Sequence, residues 1–282
     1  MSPVDADTDT ALDALARMID AAPGTLVLSG AGLSTESGIP DYRGPDGERR
    51  VSPMQYRDFV GSSDARRRYW ARAFVGWRNF SAAAPNAGHL AVARLQQAGH
   101  LGAIVTQNVD ELHQAAGAQD VIDLHGTLSR VVCLTCGDRI SRWDLDERMA
   151  AENPSFAVHT GEIRPDGDVT LEEVQVADFR VPICERCGAD TLKPDVVFFG
   201  ESVPKDRVER SFALTDEAPA LLVLGSSLVV FSGYRFVRRA AANGTPVAIV
   251  TLGPTRGDDA ATVVLKTPLG TTLQALAERL GV

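Results

Sequence analysis

No uninterrupted apolar run in this 282-residue chain approaches the roughly 18 residues needed to cross a bilayer. A membrane span is therefore not expected. The opening stretch, MSPVDADTDTALDALARMIDAAPGT, has no basic region ahead of an apolar core, and it is acidic rather than arginine-rich. It reads as neither a signal nor a transit peptide, so a cytoplasmic protein is expected. Positive charge is in deficit: 28 Lys and Arg stand against 37 Asp and Glu, a formal net charge of −9. A chain that repels phosphate overall is a poor general nucleic-acid binder. Its short basic clusters, Arg66-Arg67-Arg68 and Arg238-Arg239, read as solvated helix faces. Cysteine is scarce too. The four present all lie in CxxC pairs, unlike the scattered cysteines of a secreted disulfide scaffold.

What is present is an alternation of short apolar runs with amphipathic stretches. Thr25 to Ser29, Gly102 to Thr106, Val121 to Leu124, Ala220 to Leu224 and Pro246 to Val250 read as buried strands. Helical patterns separate them: Ala11 to Ala22, with Leu12, Leu15, Met18 and Ile19 on one face, then Ala87 to Gln97, then Thr271 to Leu280. Continuous apolar strands between helices imply a parallel sheet covered on both faces. The expected fold is α/β, a Rossmann-like doubly wound parallel sheet formed by residues 1–44, 86–127 and 195–282. A mainly helical insertion over 45–85 and a small zinc-binding module over 128–194 are expected to interrupt it.

Several polar clusters follow directly on the predicted strands, where such a sheet keeps its ligand site. After the first strand come Gly30-Ala31-Gly32 and then Leu33 to Gly44. Glycines there let backbone N–H groups approach a diphosphate. Position 35, where a plain GxGxxG fingerprint has its third glycine, is Thr, and a simple tight turn would also satisfy the first two. Thr106 to His113 (TQNVDELH) follows the second strand. Its amides suit ribose hydroxyls and a carboxamide, although a helix cap and solvated turn would use the same residues. His125 ends the third strand, and an imidazole titrating near about pH 6.5 accepts a proton at neutral pH. Most lone histidines are structural.

Cys133-x2-Cys136 and Cys184-x2-Cys187 are 47 residues apart. Four thiolates close a tetrahedral shell around Zn²⁺ and leave no open position, so a bound zinc is structural. An iron–sulfur cluster and a redox pair are the alternatives. Lys193 to Glu201 (KPDVVFFGE) reads as a strand with an apolar edge. If exposed, it pairs with a substrate peptide by β-augmentation; Val196 and Phe198 are equally suited to plain core packing.

The string GAGxSxxSGIPDYR at Gly30 to Arg43 resembles the opening signature of sirtuins, NAD⁺-dependent protein lysine deacylases. TQNVDxLH, LHG, the CxxC pairs, KPDVVFFGE, and the strand-end strings Gly225-Ser226-Ser227 and Thr251-Leu252-Gly253 resemble that family in order. The likeness runs from about Ala11 to Leu280. It implies NAD⁺ contacts from Gly30, Ala31, Gly32, Ser34, Asp41, Tyr42, Arg43, Gln107, Asn108, Val109, Asp110, Gly225, Ser226, Ser227, Thr251, Leu252, Gly253 and Leu269. Many sirtuins have Asn where Thr251 stands. For Asp41 and Arg43 a surface ion pair is the alternative, and it ranks well below ligand contact.

The resemblance also implies a catalytic set of His125, Asn108 and Asp110. One structural Zn²⁺ would sit on Cys133, Cys136, Cys184 and Cys187, and Val196 and Phe198 would contact substrate. The implied reaction cleaves NAD⁺ to nicotinamide, frees lysine and yields O-acyl-ADP-ribose. The expected partners are acylated lysine-containing proteins, with no nucleic acid and no membrane, and nothing in the sequence demands an oligomer. Arg68 to Arg72, Pro165 to Val169 and Gly253 to Arg256 resemble the class II branch. Tyr69 and Arg72, spaced i, i+3 on a predicted helix, share a face, and they resemble the pair that receives acidic acyl groups in desuccinylating sirtuins. Arg72 is equally readable as one more solvated arginine. Competing functions are protein mono-ADP-ribosyl transfer and a non-catalytic NAD⁺-binding zinc module. A dehydrogenase fits the glycine pattern poorly.

Overall fold

The structure, a computed structural model, describes residues 6–44, 46, 48–49, 52–156, 164–169 and 176–282. The first five residues of the acidic opening lie outside the described residues, as do parts of the expected helical and zinc-binding inserts. In chain order the elements are α1 (Ala6–Asp20), β1 (Thr25–Ser29), α2 (Tyr56–Gly61), α3 (Ser63–Ser81), α4 (Ala87–Gln97), β2 (Leu101–Thr106), α5 (Leu112–Ala115), β3 (Val121–Asp123), β4 (Gly126–Cys133), β5 (Arg139–Ser141) and α6 (Arg142–Glu152). Then follow β6 (Leu192–Val196), α7 (Lys205–Glu217), β7 (Leu221–Leu224), α8 (Phe231–Ala242), β8 (Val247–Val250), β9 (Val263–Leu265) and α9 (Leu269–Arg279). No helix among the described residues is long and apolar enough to cross a membrane.

The chain divides into two compact units. The first comprises Met1–Arg50, Ala84–Leu124 and Val203–Val282. Its core is a six-stranded sheet in the order β3-β2-β1-β7-β8-β9, parallel at every pairing. The apolar runs are continuous because each strand feeds two cores. Val27, Leu222, Leu224, Ala248 and Val250 face one cluster, with Leu15 and Ile19 of α1, Leu95 of α4, and Leu273 and Leu276 of α9. Leu26, Leu28, Leu221, Val223, Val247 and Ile249 face the other, with Phe236, Val237 and Ala240 of α8. Neighbours along a strand point to opposite faces. Each fully buried Val, Leu, Ile or Phe among them stabilises the fold by about 1.5–3 kcal/mol. The sequence pattern did not announce β9, whose three residues include two that are only half-buried.

The second unit comprises Val51–Ala83 and His125–Ser202. The helical stretch and the cysteine-bearing stretch were expected as separate inserts; they are parts of this one unit, which also takes in residues 195–202. Its sheet is three-stranded, in the order β5-β4-β6, and antiparallel. Long-range polar contacts tie the helices to the cysteine-bearing part. Arg66 of α3 pairs with Asp190 at 2.9 Å. Trp70 Nε1 donates to the Leu192 carbonyl at 2.9 Å. Arg142 is buried, lies over the Trp77 ring at 4.7 Å, and donates to the Ala73 carbonyl.

Candidate functional site

In the first unit, β2 lies on one side of β1 and β7 on the other. The connections leaving the carboxyl ends of β1 and β7 diverge there, the place where doubly wound sheets bind ligands. The Gly30, Gln107, Gly225 and Thr251 segments all follow strands at that end.

The glycines are required first by the protein's own packing. Gly32 N donates to the Gly225 carbonyl at 2.9 Å. A Cβ on Gly225, whose φ is +62°, would lie 2.4 Å from Leu33 N, and one on Gly30 would lie 2.8 Å from Ser226 Cβ. The β1 and β7 turns thus meet backbone to backbone. Two 3-10 turns, Ala31–Leu33 and Thr35–Ser37, continue the first of them. Glu36 caps α9 by accepting from Gly270 N at 2.9 Å, which favours a carboxylate at the positive end of the helix. That fixes the segment beside Leu269, a buried residue. A lone Glu in a loop carries no sequence signal for this role.

A polar network joins the β1 and β2 loops. Asn108 Nδ2 donates to Ser34 Oγ at 3.0 Å and to the Gly30 carbonyl at 3.2 Å. Ser34 Oγ donates to Asp110 Oδ2 at 2.7 Å, and Asp110 Oδ1 accepts from Leu112 N. Burial raises the Asp110 carboxyl above its ordinary range, while the Ser34 hydroxyl and the Leu112 N–H pull it down. Gln107 Nε2 donates to Ser226 Oγ at 2.8 Å. Val109, Ser227 and Gly253 are half-buried, and Leu252 is exposed. Asp41, Tyr42 and Arg43 lie on the half-buried stretch after Pro40, where Arg43 forms an isolated antiparallel bridge with Arg49. The polar set comprises the backbone of the glycine turns, serine and threonine hydroxyls, two amides and an accepting carboxylate. It matches a ligand carrying a diphosphate, ribose hydroxyls and a carboxamide.

In the second unit, His125 precedes a turn only glycine can make. Gly126 has a φ of +82°, and a Cβ there would lie 1.9 Å from the Asp195 carbonyl oxygen. The His125 carbonyl accepts from Val197 N at 2.7 Å, so the histidine and the segment after β6 are held together. For Val196 and Phe198 an exposed edge and plain core packing were both open. Although β6 is an edge strand, both side chains are buried. Phe198 packs on Phe59 and Tyr69, with ring centres 5.2 Å away in each case.

The bend of this segment is built on Lys193, whose role the sequence did not disclose. Its buried ammonium pairs with Glu201 at 3.0 Å and donates to the Val196 carbonyl at 2.5 Å. Glu201 also accepts from Phe198 N at 2.8 Å. Removing one partner strands the other charge, so Lys193→Met is expected to cost about 3 kcal/mol in urea denaturation. The double variant Lys193→Met, Glu201→Gln should recover part of that loss. An additive double variant would deny the pair its role.

Tyr69 is buried. Burial, then the neighbouring Asp166 and Asp168, hold its hydroxyl well above the usual tyrosine range. Arg72 is half-buried, and its Nε is buried without a hydrogen-bond partner. The turn Arg164 to Asp168 sits on the same face of α3: a Cβ on Gly76, one helical turn beyond Arg72, would meet the Gly167 carbonyl oxygen at 2.1 Å. Burial and the adjacent Asp166 push the Asp168 carboxyl up to about 8, with Arg72 opposing them. In the sequence these two acids belong to the Pro165 to Val169 string, which carries no signal of a place beside Tyr69 and Arg72.

The four cysteines converge. Their Sγ atoms lie within 4.8 Å of one another, with Cys133 and Cys187 3.6 Å apart and Cys136 and Cys184 3.7 Å apart. A tetrahedral Zn–S bond of about 2.3 Å sets sulfurs roughly 3.8 Å apart, whereas a disulfide needs about 2.05 Å. The two pairs sit on matching turns. Gly137 N donates to the Cys133 carbonyl and Gly188 N to the Cys184 carbonyl, at 2.9 and 2.8 Å. Both glycines have left-handed φ, +74° and +73°. The donor set fits one closed zinc site.

The family model described as "Sir2 family" matches residues 30–232. The chain is 55% identical over 270 residues to NAD-dependent protein deacetylase 1 of Streptomyces coelicolor, covering 95% of this chain and 90% of that one. It is 46% identical to the mitochondrial NAD-dependent protein lipoamidase sirtuin-4 of Bos taurus, over 94% of this chain and 85% of that one. A solved structure described as Sir2–p53 peptide–NAD+ superposes with a TM-score of 0.77 at 29% identity, covering 96% of this chain and 98% of that one.

Proposed function

The chain belongs to the Sir2, or sirtuin, family, and from that membership we propose that it is an NAD⁺-dependent protein lysine deacylase. It frees lysine from acyl-lysine proteins and releases nicotinamide and O-acyl-ADP-ribose. The observation that carries this reading is the Asn108–Ser34–Asp110 network at the sheet's switch point, in a chain so similar to named deacetylases. When bound, NAD⁺ supplies an electrophilic ribose carbon and a nicotinamide leaving group. The glycine turns at 30–32 and 225, which carry no side chain beyond Ala31, let its diphosphate half approach the backbone closely. Asn108 and Asp110 orient the ribose and carboxamide. His125 takes the proton of a ribose hydroxyl on its imidazole, and Val196 and Phe198 line the path of the acyl-lysine. Prebinding both reactants supplies much of the acceleration, and the site must exclude water to avoid plain NAD⁺ hydrolysis.

The similarity to the bovine lipoamidase supports a place in the class II branch and, with it, acyl chains longer than acetyl. Tyr69 and Arg72 remain the proposed acyl contacts. Asp166 and Asp168 lie beside Arg72, but burial raises both carboxyls, Asp168 to about 8, so at neutral pH they offset the Arg72 charge only in part. The test is mass spectrometry of the products from NAD⁺ and acetyl-, octanoyl- and succinyl-lysine peptides. O-acyl-ADP-ribose is expected, with octanoyl preferred over acetyl. ADP-ribose attached to protein, with no deacylation, would replace the reading by ADP-ribosyl transfer. Succinyl preference in the wild type would restore Arg72 as a carboxylate receptor.

A further inference from the structure

Two buried histidines underlie the β1 and β2 loops, and the reaction just proposed uses neither. His89 stands on α4 and His113 on α5; their relative exposures are 0% and 1%. Their rings meet nearly at right angles with centres 5.2 Å apart. His89 Nε2 and His113 Nδ1 are both buried without a hydrogen-bond partner. Two unsatisfied ring nitrogens in one core require an explanation.

The neighbouring hydrogen bonds fix which nitrogen carries each proton. His89 Nδ1 accepts from Asn86 N at 3.4 Å within the capping box of α4. A neutral imidazole has one proton, so that of His89 is on Nε2. Ser29 Oγ donates to Thr106 Oγ1 at 2.8 Å. The Ser29 oxygen, 2.8 Å from His113 Nε2, therefore accepts a proton from it. That leaves His113 Nδ1 bare. The two partnerless atoms are thus one donor and one acceptor on touching rings. An imidazole nitrogen lies about 1.1 Å from its ring centre, so an N–H···N bond of about 3.0 Å sets two centres roughly 5.2 Å apart. The centres have that spacing; the two nitrogens are not bonded in this structure, and the relay requires a small reorientation of the rings to bring them together. Burial keeps both rings neutral, drawing His89 down to about 4 and His113 to about 3.

We propose that His89 and His113 form a one-way hydrogen-bond relay: His89 Nε2–H to His113 Nδ1, His113 Nε2–H to Ser29 Oγ, and Ser29 to Thr106. The relay ends at Thr106 Oγ1, which accepts from the Asn108 backbone N–H at 3.1 Å. Its work is to hold Asn108 in register with Gly30 and Ser34. Both histidines are positioning residues for the site, a role that rests on the deacylase reading. A chain of polarised hydrogen bonds in a dry core is rigid, and a displacement of about 1 Å at a reacting site costs on the order of 100-fold in rate.

The test has two arms on the full chain. Long-range ¹H–¹⁵N spectra of the protein's five histidines at pH 7, assigned with single His→Gln variants, should show His89 and His113 as neutral Nε2–H tautomers. A charged ring at either position, or a proton on His113 Nδ1, overturns the relay. This arm needs no activity, so failure of the deacylase reading leaves it intact. In the second arm, His113→Gln keeps an N–H donor at the Nε2 position, whereas His113→Leu does not. His113→Leu is expected to lower kcat by about tenfold or more with the KM for acyl peptide unchanged, and His113→Gln to restore most of it. Equal loss in two folded variants, or none in either, overturns the positioning role. If His113→Leu does not fold, the tautomers decide.

Discussion

Replacing His125 with Ala is expected to lower kcat for deacylation by about 10²–10⁴-fold, the usual contribution of a general base, while the Kd for NAD⁺ changes little. The separation follows from the proposed roles: the strand-end loops bind NAD⁺, whereas His125 moves a proton, and its backbone is held by the bond from Val197 N to its carbonyl. Truncating the imidazole removes a base and leaves that backbone bond in place. Calorimetric titration with NAD⁺ and the rate of product formation test both claims. Unchanged turnover in the Ala variant would move the base to another residue.

The sheet was legible in the sequence because every central strand is buried on both faces. An apolar run such as Thr25 to Ser29 needs no partner to be recognised. β9 was not, since three residues at the edge, two of them half-buried, carry no period. The grouping of the helical stretch with the cysteine-bearing stretch was hidden for a different reason. It depends on pairs far apart in sequence, Arg66 with Asp190 and Trp70 with Leu192, and no local pattern encodes these. The same holds within the candidate site. The CxxC turns and the Gly30 and Asn108 strings are local and could be read directly. Glu36, Lys193, Asp166 and Asp168 act through folded neighbours, and each looks like an ordinary charged surface residue until its burial is known.

Removal of zinc should be the most damaging single change to structure. The four sulfurs join the end of β4 to the turn preceding β6 across 47 intervening residues, a gap that Arg148 to the Ile183 carbonyl and Thr135 to Thr191 bridge by single hydrogen bonds at 2.7 Å. Apparent binding energies of structural zinc in small peptides are about 10–16 kcal/mol, comparable to the whole stability of about 5–15 kcal/mol of an ordinary domain. Chelation, or Cys136→Ser, is therefore expected to melt the second unit at ordinary temperature. The first unit has two apolar cores of its own, and it should keep its parallel sheet. Calorimetry should show one early and one late transition in the stripped protein. Deacylation should vanish with the early one, because His125, Val196 and Phe198 all belong to the unit that melts. Acid should act in the same direction, since zinc binds thiolates and protons compete for them, so metal retention falls as pH falls. A stripped protein that melts in one unshifted transition would mean that the cysteine cluster is dispensable to the fold. A metal analysis returning iron with sulfide would replace the zinc site by a cluster.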